Sequence, residues 1–266
     1  MFDDTEEWIR ESHKHPFLGE NIGKSRYFKV WDDASGNYED AGVGPLREKI
    51  IGRLREDGII KESYSVLDVG SGPGTYGIAF SEFCRHVTCL DSSAGMLERI
   101  KQRNISNIDC IQNDWDTFDH STKYDVVFSS LCPSVNRPEA LLKMESFSKG
   151  YCVYISSMND DSTSLRRELW MEFGKDYTMN GYDTRYPFGF LQKNGRHPTL
   201  EIFEDVHPYE ENVKETIEKE IKAFSFYFDM DEEKHSRIEK VVERRSVNGK
   251  VHYDGIKRLG LLIWKP

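Results

Sequence analysis

The chain has 266 residues, with 36 lysines and arginines against 46 aspartates and glutamates, for a formal charge of −10. That balance suits phosphate backbones poorly, and the paired arginines at Arg166-Arg167 and Arg244-Arg245 read as solvated helix faces rather than a nucleic-acid patch. No apolar run approaches the ~20 residues of a membrane span. There is no basic-then-apolar leader, and the five cysteines contain no C-x-x-C pair. These features argue against a disulfide framework or zinc knuckle and for a cytoplasmic protein with one sizeable core and no metal site.

Residues 1–44 place Trp8 and Ile9 in an acidic stretch, then Phe17, Tyr27, Phe28 and Trp31 among glycines and charges, without a strong helical period. They read as a flap over a cleft or as an outer packing layer. Pro45 opens a helix where its missing N–H costs little. Leu46, Ile50, Ile51 and Leu54 form its buried stripe, and Gly58 ends it. The run Val66–Val69 then predicts a buried strand, ending in Gly70-Ser71-Gly72-Pro73-Gly74. The spacing of Tyr76, Ile78, Ala79, Phe80 and Phe83 predicts the helix after it. Such a loop lets backbone approach a ligand where a Cβ would clash, and the helix behind it presents N–H groups. The spacing is G-x-G-x-G rather than the dinucleotide G-x-G-x-x-G, and by itself it is as readily a tight turn.

Val87–Leu90 predicts a second strand, ended by Asp91 about 20 residues after Gly70, the offset at which an acid meets a ribose in a βαβ nucleotide site. Ser92 or Ser93 caps the next helix, whose Met96, Leu97 and Ile100 face inward. A third strand at Ile108–Ile111 leads to Asn113-Asp114-Trp115, where an amide, a carboxylate and an indole together suit the edge and face of an adenine. Tyr124–Ser130 is the fourth strand.

Taken together, residues 64 to 157 resemble the class I S-adenosylmethionine-dependent methyltransferases. The resemblance implies an α/β fold: a doubly wound seven-stranded sheet, mostly parallel with an antiparallel last strand, helices on both faces, and an inserted lid. It assigns the methionine part of the cofactor to Asp68, Gly70, Gly72 and Gly74, the ribose hydroxyls to Asp91 and the adenine amine to Asp114. Ser71, Ser92, Met96, Asn113, Trp115 and Ser129 complete the expected cofactor set. In related enzymes a segment such as Phe28–Asp32 closes over the methionine end.

After strand four comes Leu131-Cys132-Pro133-Ser134, at the carboxyl edge where doubly wound folds hold ligands. Cys132 reads as a small wall residue rather than a nucleophile. Thiolate-using methyltransferases carry Pro before Cys, and no neighbouring Lys or His in sequence lowers this thiol's pKa. The loop also lacks the Asp/Asn-Pro-Pro-aromatic pattern of amino-methylating nucleic-acid enzymes. Pro138 opens a further helix and Tyr151–Ile155 is strand five. Residues 158–198 break the α/β rhythm: Ser162 caps a helix carrying Leu165, Leu169 and Phe173, followed by Tyr177, Tyr182, Tyr186, Phe188 and Phe190. This stretch reads as an aromatic lid, with a dimer contact or plain packing as alternatives. Trp31, Cys132, Tyr182 and Tyr186 are candidate substrate contacts. Thr199–Phe203 is strand six, two helices are striped by Val213, Ile217, Ile221, Phe224 and by Ile238, Val241, Val242, Asn248-Gly249 is a hairpin turn, and Leu259–Trp264 is the last strand.

The domain reading is therefore a flap at 1–44, a cofactor-binding core at 45–157 and 199–266, and a lid at 158–198. The expected reaction is in-line methyl transfer from S-adenosylmethionine, giving S-adenosylhomocysteine, to a small molecule. A nucleic-acid or protein acceptor, and a non-catalytic S-adenosylmethionine-binding protein, stand as alternatives. No nucleic-acid or membrane partner is expected. The oligomeric state is open, a homodimer included. Methyl transfer needs no general base, and His207 or His197 is the candidate if one is used.

Overall fold

The computed structural model describes residues 5–14, 24–36, 44–158, 164–177 and 180–266. The elements in chain order are α1 (Thr5–Ser12), α2 (Lys24–Ser35), α3 (Gly44–Glu56), β1 (Ser65–Val69), α4 (Gly77–Ser81), β2 (His86–Asp91), α5 (Ala94–Lys101), β3 (Ile108–Gln112) and β4 (Tyr124–Ser130). Then follow α6 (Pro138–Phe147), β5 (Ser148–Ser157), α7 (Leu165–Glu172), α8 (Arg185–Lys193), β6 (Thr199–Val206), β7 (Tyr209–Asn212), α9 (Val213–Phe224), α10 (Glu232–Arg244), β8 (Lys250–Tyr253) and β9 (Ile256–Trp264).

Seven strands make one sheet in the order β3-β2-β1-β4-β5-β9-β6. β1 to β5 pair in parallel, and β9 runs antiparallel between β5 and β6. The apolar runs are continuous rather than alternating because both faces are covered. Along β1, Val66 joins one core and Leu67 the other. The first core packs α3 through Leu46, Ile50 and Leu54, and α5 through Leu97 and Ile100, against Val87, Val126 and Val153. The second packs α6 through Leu141 and Met144, and α8 through Phe190 and Leu191, against Val127, Tyr154 and Leu262. Each fully buried side chain of this kind contributes about 1.5–3 kcal/mol.

The chain order reverses beside β1: its neighbours are β2 on one side and β4 on the other. Loops after these strands diverge there and leave a crevice at their carboxyl ends.

Among its described residues, the 1–44 segment contains two helices, α1 and α2, that its irregular aromatic spacing does not announce. On α1, Trp8 is fully buried in the second core. Its Nε1 donates to Asn136 Oδ1 at 3.4 Å, which also accepts from the Tyr154 hydroxyl at 3.0 Å, while Asn136 Nδ2 donates to the Gly181 carbonyl at 2.9 Å. One buried amide thus ties three distant stretches together.

The expected lid is built differently from a cover. Its first helix, α7, packs Leu165, Leu169 and Trp170 with Phe224 of α9 and Ile238, Val241 and Val242 of α10, forming a third core. Phe173 and Tyr177 pack against the same cluster. α8 instead sits on the main sheet, with Tyr186 and Phe188 packed beside Phe190. The aromatics are packing residues because the helices there are short and large rings supply most of their buried area. The α7 cap is Ser164, which accepts from Arg167 N–H. The expected cap, Ser162, lies outside the described residues. Asn248 and Gly249 turn the chain with positive φ values of 54° and 76°. The strand after that turn, β8, pairs with the distant β7, because the segment before the turn is the helix α10. Among the described residues no helix is long and apolar enough to cross a membrane.

Candidate functional site

The crevice beside β1 is lined by the glycine loop with Asp68, by Asp91, Ser92 and Met96, by Asn113, Asp114 and Trp115, by Ser130–Ser134, and by Trp31 from α2. These come from five stretches of chain: four lie at strand ends or the helix starts that follow them, and the fifth, Trp31, lies within α2.

The loop is shaped by contacts below it. Gly70 N–H and Ser71 N–H both donate to the Leu90 carbonyl, at 2.8 and 3.1 Å, so the loop is pinned to the end of β2. Gly72 N–H donates to Asp91 Oδ2 at 2.8 Å. Part of the N–H array expected to face a ligand is therefore spent on holding the loop and orienting Asp91. Gly70 has φ +69°, and a Cβ there would lie 2.4 Å from Cys132 Sγ. The absence of that carbon is what lets the post-β4 loop close against the glycine loop. Gly72 also has positive φ, and a Cβ on it would meet open space. Gly74 is different: its Cβ would run into Ile78 and Ile100, so this glycine permits helix packing and lies off the cleft.

Asp68 is 2 % exposed, and its Oδ2 has no hydrogen-bond partner among the described residues. Burial and the charge of Asp91 push its pKa from 3.8 up to about 7, against the pull of the Gly77 N–H. Asp91 is also raised, chiefly by burial, with the N–H groups of Ser93, Gly72 and Ser92 opposing and the charge of Asp32 adding. Two half-satisfied carboxylates in a poorly solvated crevice are costly unless something positive arrives. S-adenosylmethionine carries an ammonium and a sulfonium, so the donor set fits it on charge. The orphaned Asp68 oxygen fits the ammonium. Each Asp91 oxygen, holding one N–H, keeps a lone pair for a ribose hydroxyl.

Across the crevice, Leu131 is the one described residue with positive φ that is neither Gly nor Asn, at +50°. Its N–H donates to the Ile155 carbonyl at 2.9 Å, which holds the strained turn in place. The turn sends Cys132 back over Gly70. Burial, with Asp91 beside it, pushes the Cys132 thiol up to about 12, so it stands as a neutral wall and not a thiolate.

The remaining sequence-derived residues fall in several places. Asn113 and Asp114 line the crevice, where Asn113 Oδ1 accepts from Thr117 and Asp114 Oδ1 from Asp116 N–H. Trp115 lines it too, but only 3 % of it is exposed. Its Nε1 donates to the Ala140 carbonyl, and its ring packs on Phe118 and Phe147. Ser129 is not a crevice residue: it is fully buried and donates to the Val69 carbonyl at 2.9 Å, clamping β4 to β1. Tyr182 and Tyr186 do not line it either. Tyr182 is 2 % exposed in a 3-10 turn packed against α1, and Tyr186 packs on the second core. His207 lies past the end of β6, exposed and 3.0 Å from Asp205, away from the crevice. His197 precedes β6 and lines a separate hollow with Trp264.

Sequence reasoning passed over Asp32 and Asn136, whose contacts span 61 and 128 residues. The only local signal for Asp32 is its place beside Trp31.

Residues 66–148 match the model of a family described as a methyltransferase domain. A search of curated protein sequences found no match. Among solved structures, the chain is similar to the YcgJ protein of Bacillus subtilis, with a TM-score of 0.56 and 12% identity over 81% of this chain and 97% of that one. It is similar to a SAM-dependent methyltransferase from Thiobacillus denitrificans in complex with S-adenosyl-L-homocysteine, with a TM-score of 0.55 and 14% identity over 89% and 97%. A precorrin-6y C5,15-methyltransferase from Geobacter metallireducens aligns at 0.50 and 13% identity over 88% and 96%. At these identities the likeness is one of fold. The methyltransferase-domain match is seated on this sheet and crevice, so the chain carries a methyltransferase domain on the Rossmann-like α/β fold that S-adenosylmethionine-dependent methyltransferases share.

Proposed function

We propose that this methyltransferase acts on a small organic acceptor that is neutral or cationic. The observation that carries the reading is the charge of the crevice: Asp68, Asp91 and Asp114 line it, with no Lys, Arg or His among the described lining residues. An acidic wall repels a phosphate backbone and favours positive or uncharged groups. The overall charge of −10 acts in the same direction.

The cofactor, when bound, supplies an electrophilic methyl on sulfonium. The chain's own part is to hold and align. Asp68 and the loop at Gly70–Gly72 would take the methionine end, Asp91 the ribose and Asp114 the adenine amine. Cys132, Leu131 and Pro133 form the wall opposite the glycine loop and limit what can lie beside it. Alignment of this kind supplies up to ~7–11 kcal/mol of a transfer barrier without acid–base help. The Geobacter neighbour on a similar fold is a precorrin-6y C5,15-methyltransferase, which is in keeping with a small-molecule acceptor.

The test is to incubate the protein with S-adenosylmethionine and a cell extract split at about 1 kDa, following S-adenosylhomocysteine. Production dependent on the low-mass fraction supports the reading. Methyl transfer confined to the protein or nucleic-acid fraction overturns the acceptor class, and cofactor binding without turnover in any fraction favours a sensor.

A further inference from the structure

Helix α2 is fastened to the crevice at one end. Asp32 Oδ1 accepts from Ser93 Oγ at 2.5 Å and from Gly95 N–H at 3.3 Å. Its carboxylate thus sits at the N-terminus of α5, where the helix dipole favours negative charge. In the reverse sense, Arg99 of α5 donates to the Ser35 carbonyl at 2.8 Å, placing a cation at the C-terminal end of α2. Gly95 belongs to the same joint, since a Cβ there would lie 2.4 Å from Ser35 Oγ. Trp31, next to Asp32, lines the crevice together with Met96 of α5. Ser93 connects two carboxylates: its hydroxyl donates to Asp32, and its backbone N–H donates to Asp91 Oδ1 at 2.8 Å.

We propose that Asp32 is a positioning residue for the cofactor. Docked on Ser93 and Gly95, it keeps Trp31 in place as a wall of the crevice. It also keeps Ser93 where its N–H orients Asp91. This places the joint at the ribose end of the crevice, beside β2, and it rests on the reading of that crevice as the S-adenosylmethionine site. A surface ion pair would contribute little. This carboxylate instead accepts two hydrogen bonds within a joint that a second contact, Arg99 to Ser35, closes independently.

The experiment uses the full chain without ligand and four variants: Asp32→Ala, Asp32→Asn, Arg99→Met and the double variant Asp32→Ala with Arg99→Met. Calorimetry gives the Kd for S-adenosylhomocysteine, and hydrogen exchange reads the α2 amides in the ligand-free protein. Asp32→Ala should raise Kd roughly tenfold or more, because a charge-assisted joint is lost. Its α2 amides should exchange faster, while its melting temperature stays close to wild type. Asp32→Asn should fall between, since the amide oxygen still accepts both hydrogen bonds without the charge. Arg99→Met should act in the same direction, and the double variant should lose less than the sum of the two, because both release one helix. Wild-type affinity in Asp32→Ala with unchanged α2 exchange overturns the proposal. So does a weakening that merely follows a general fall in melting temperature, with Asp32→Asn failing to rescue. Absence of binding by the wild type refutes instead the reading of the crevice on which the proposal rests.

Discussion

Asp68→Asn should stabilise the ligand-free protein at alkaline pH and at the same time cost it the cofactor. Asp68 is 2 % exposed, and its pKa in the folded state is about 7 against an ordinary 3.8. A difference of about three pH units corresponds to ~4 kcal/mol, at ~1.4 kcal/mol per unit. The sign follows from which state holds the proton more tightly, and here it is the folded one. The penalty is therefore absent below about pH 4, grows between about 4 and 7, and is full above 7. Asparagine has nearly the same shape and no charge to desolvate, but its buried N–H₂ lacks a partner, which costs about 1–3 kcal/mol. The net gain at about pH 8.5 is then ~1–3 kcal/mol, or several degrees of Tm for a chain of this size. Paired thermal melts at about pH 4.5, 7 and 8.5 measure it, because titrations common to both proteins cancel in the difference. The difference should shrink to zero or reverse at the acid end. A Tm difference that is the same at all three pH values would show that Asp68 carries no such charge penalty, and the electrostatic argument for a cationic ligand would fall with it.

Asp91→Ala should weaken S-adenosylmethionine and S-adenosylhomocysteine alike, by roughly tenfold to a hundredfold, since acceptors for the ribose hydroxyls are lost; calorimetry showing unchanged affinity would remove Asp91 from the site. Iodoacetamide at about pH 8 should label Cys110, which is partly exposed, well before Cys132, whose thiol is buried and held near 12; mass spectrometry finding Cys132 labelled first would reopen the nucleophile reading. Asn136→Ala should destabilise the protein by about 3 kcal/mol in chemical denaturation, because the Tyr154 hydroxyl and the Gly181 carbonyl are left buried without their partner; a loss below about 1 kcal/mol would mean that water replaces the amide.

The main sheet and the crevice were legible because their signals are local. Val66–Val69 and Val87–Leu90 are apolar runs closed by glycine and by acid, Tyr124–Ser130 carries Val126-Val127-Phe128 at its centre, and strands buried on both faces need little else to be read. Asp91 and Asp114 stand just at or after strand ends, Asp68 stands just before the glycine loop, and the family resemblance gave each its expected role. Side-chain direction was not legible. Ser129 and Ser130 are adjacent, yet the first faces a neighbouring strand and the second the crevice, a distinction made by register alone. Gly70 and Gly74 look alike in sequence, but one clears Cys132 and the other clears Ile78 and Ile100. The aromatics between Trp170 and Phe190 lack a period because they serve two different cores, one with α9 and α10 and one on the main sheet. The contacts of Trp8 and Asp32 were not legible because their partners lie 128 and 61 residues away.

The most direct measurement is a calorimetric titration of the ligand-free protein with S-adenosylhomocysteine at about pH 8, where Asp68 is available as an anion. A saturable 1:1 isotherm, with affinity that falls as pH drops below about 7 because Asp68 must then release its proton first, is the expected result. No heat of binding and no shift in melting temperature at millimolar ligand would contradict the assignment of the crevice to this cofactor.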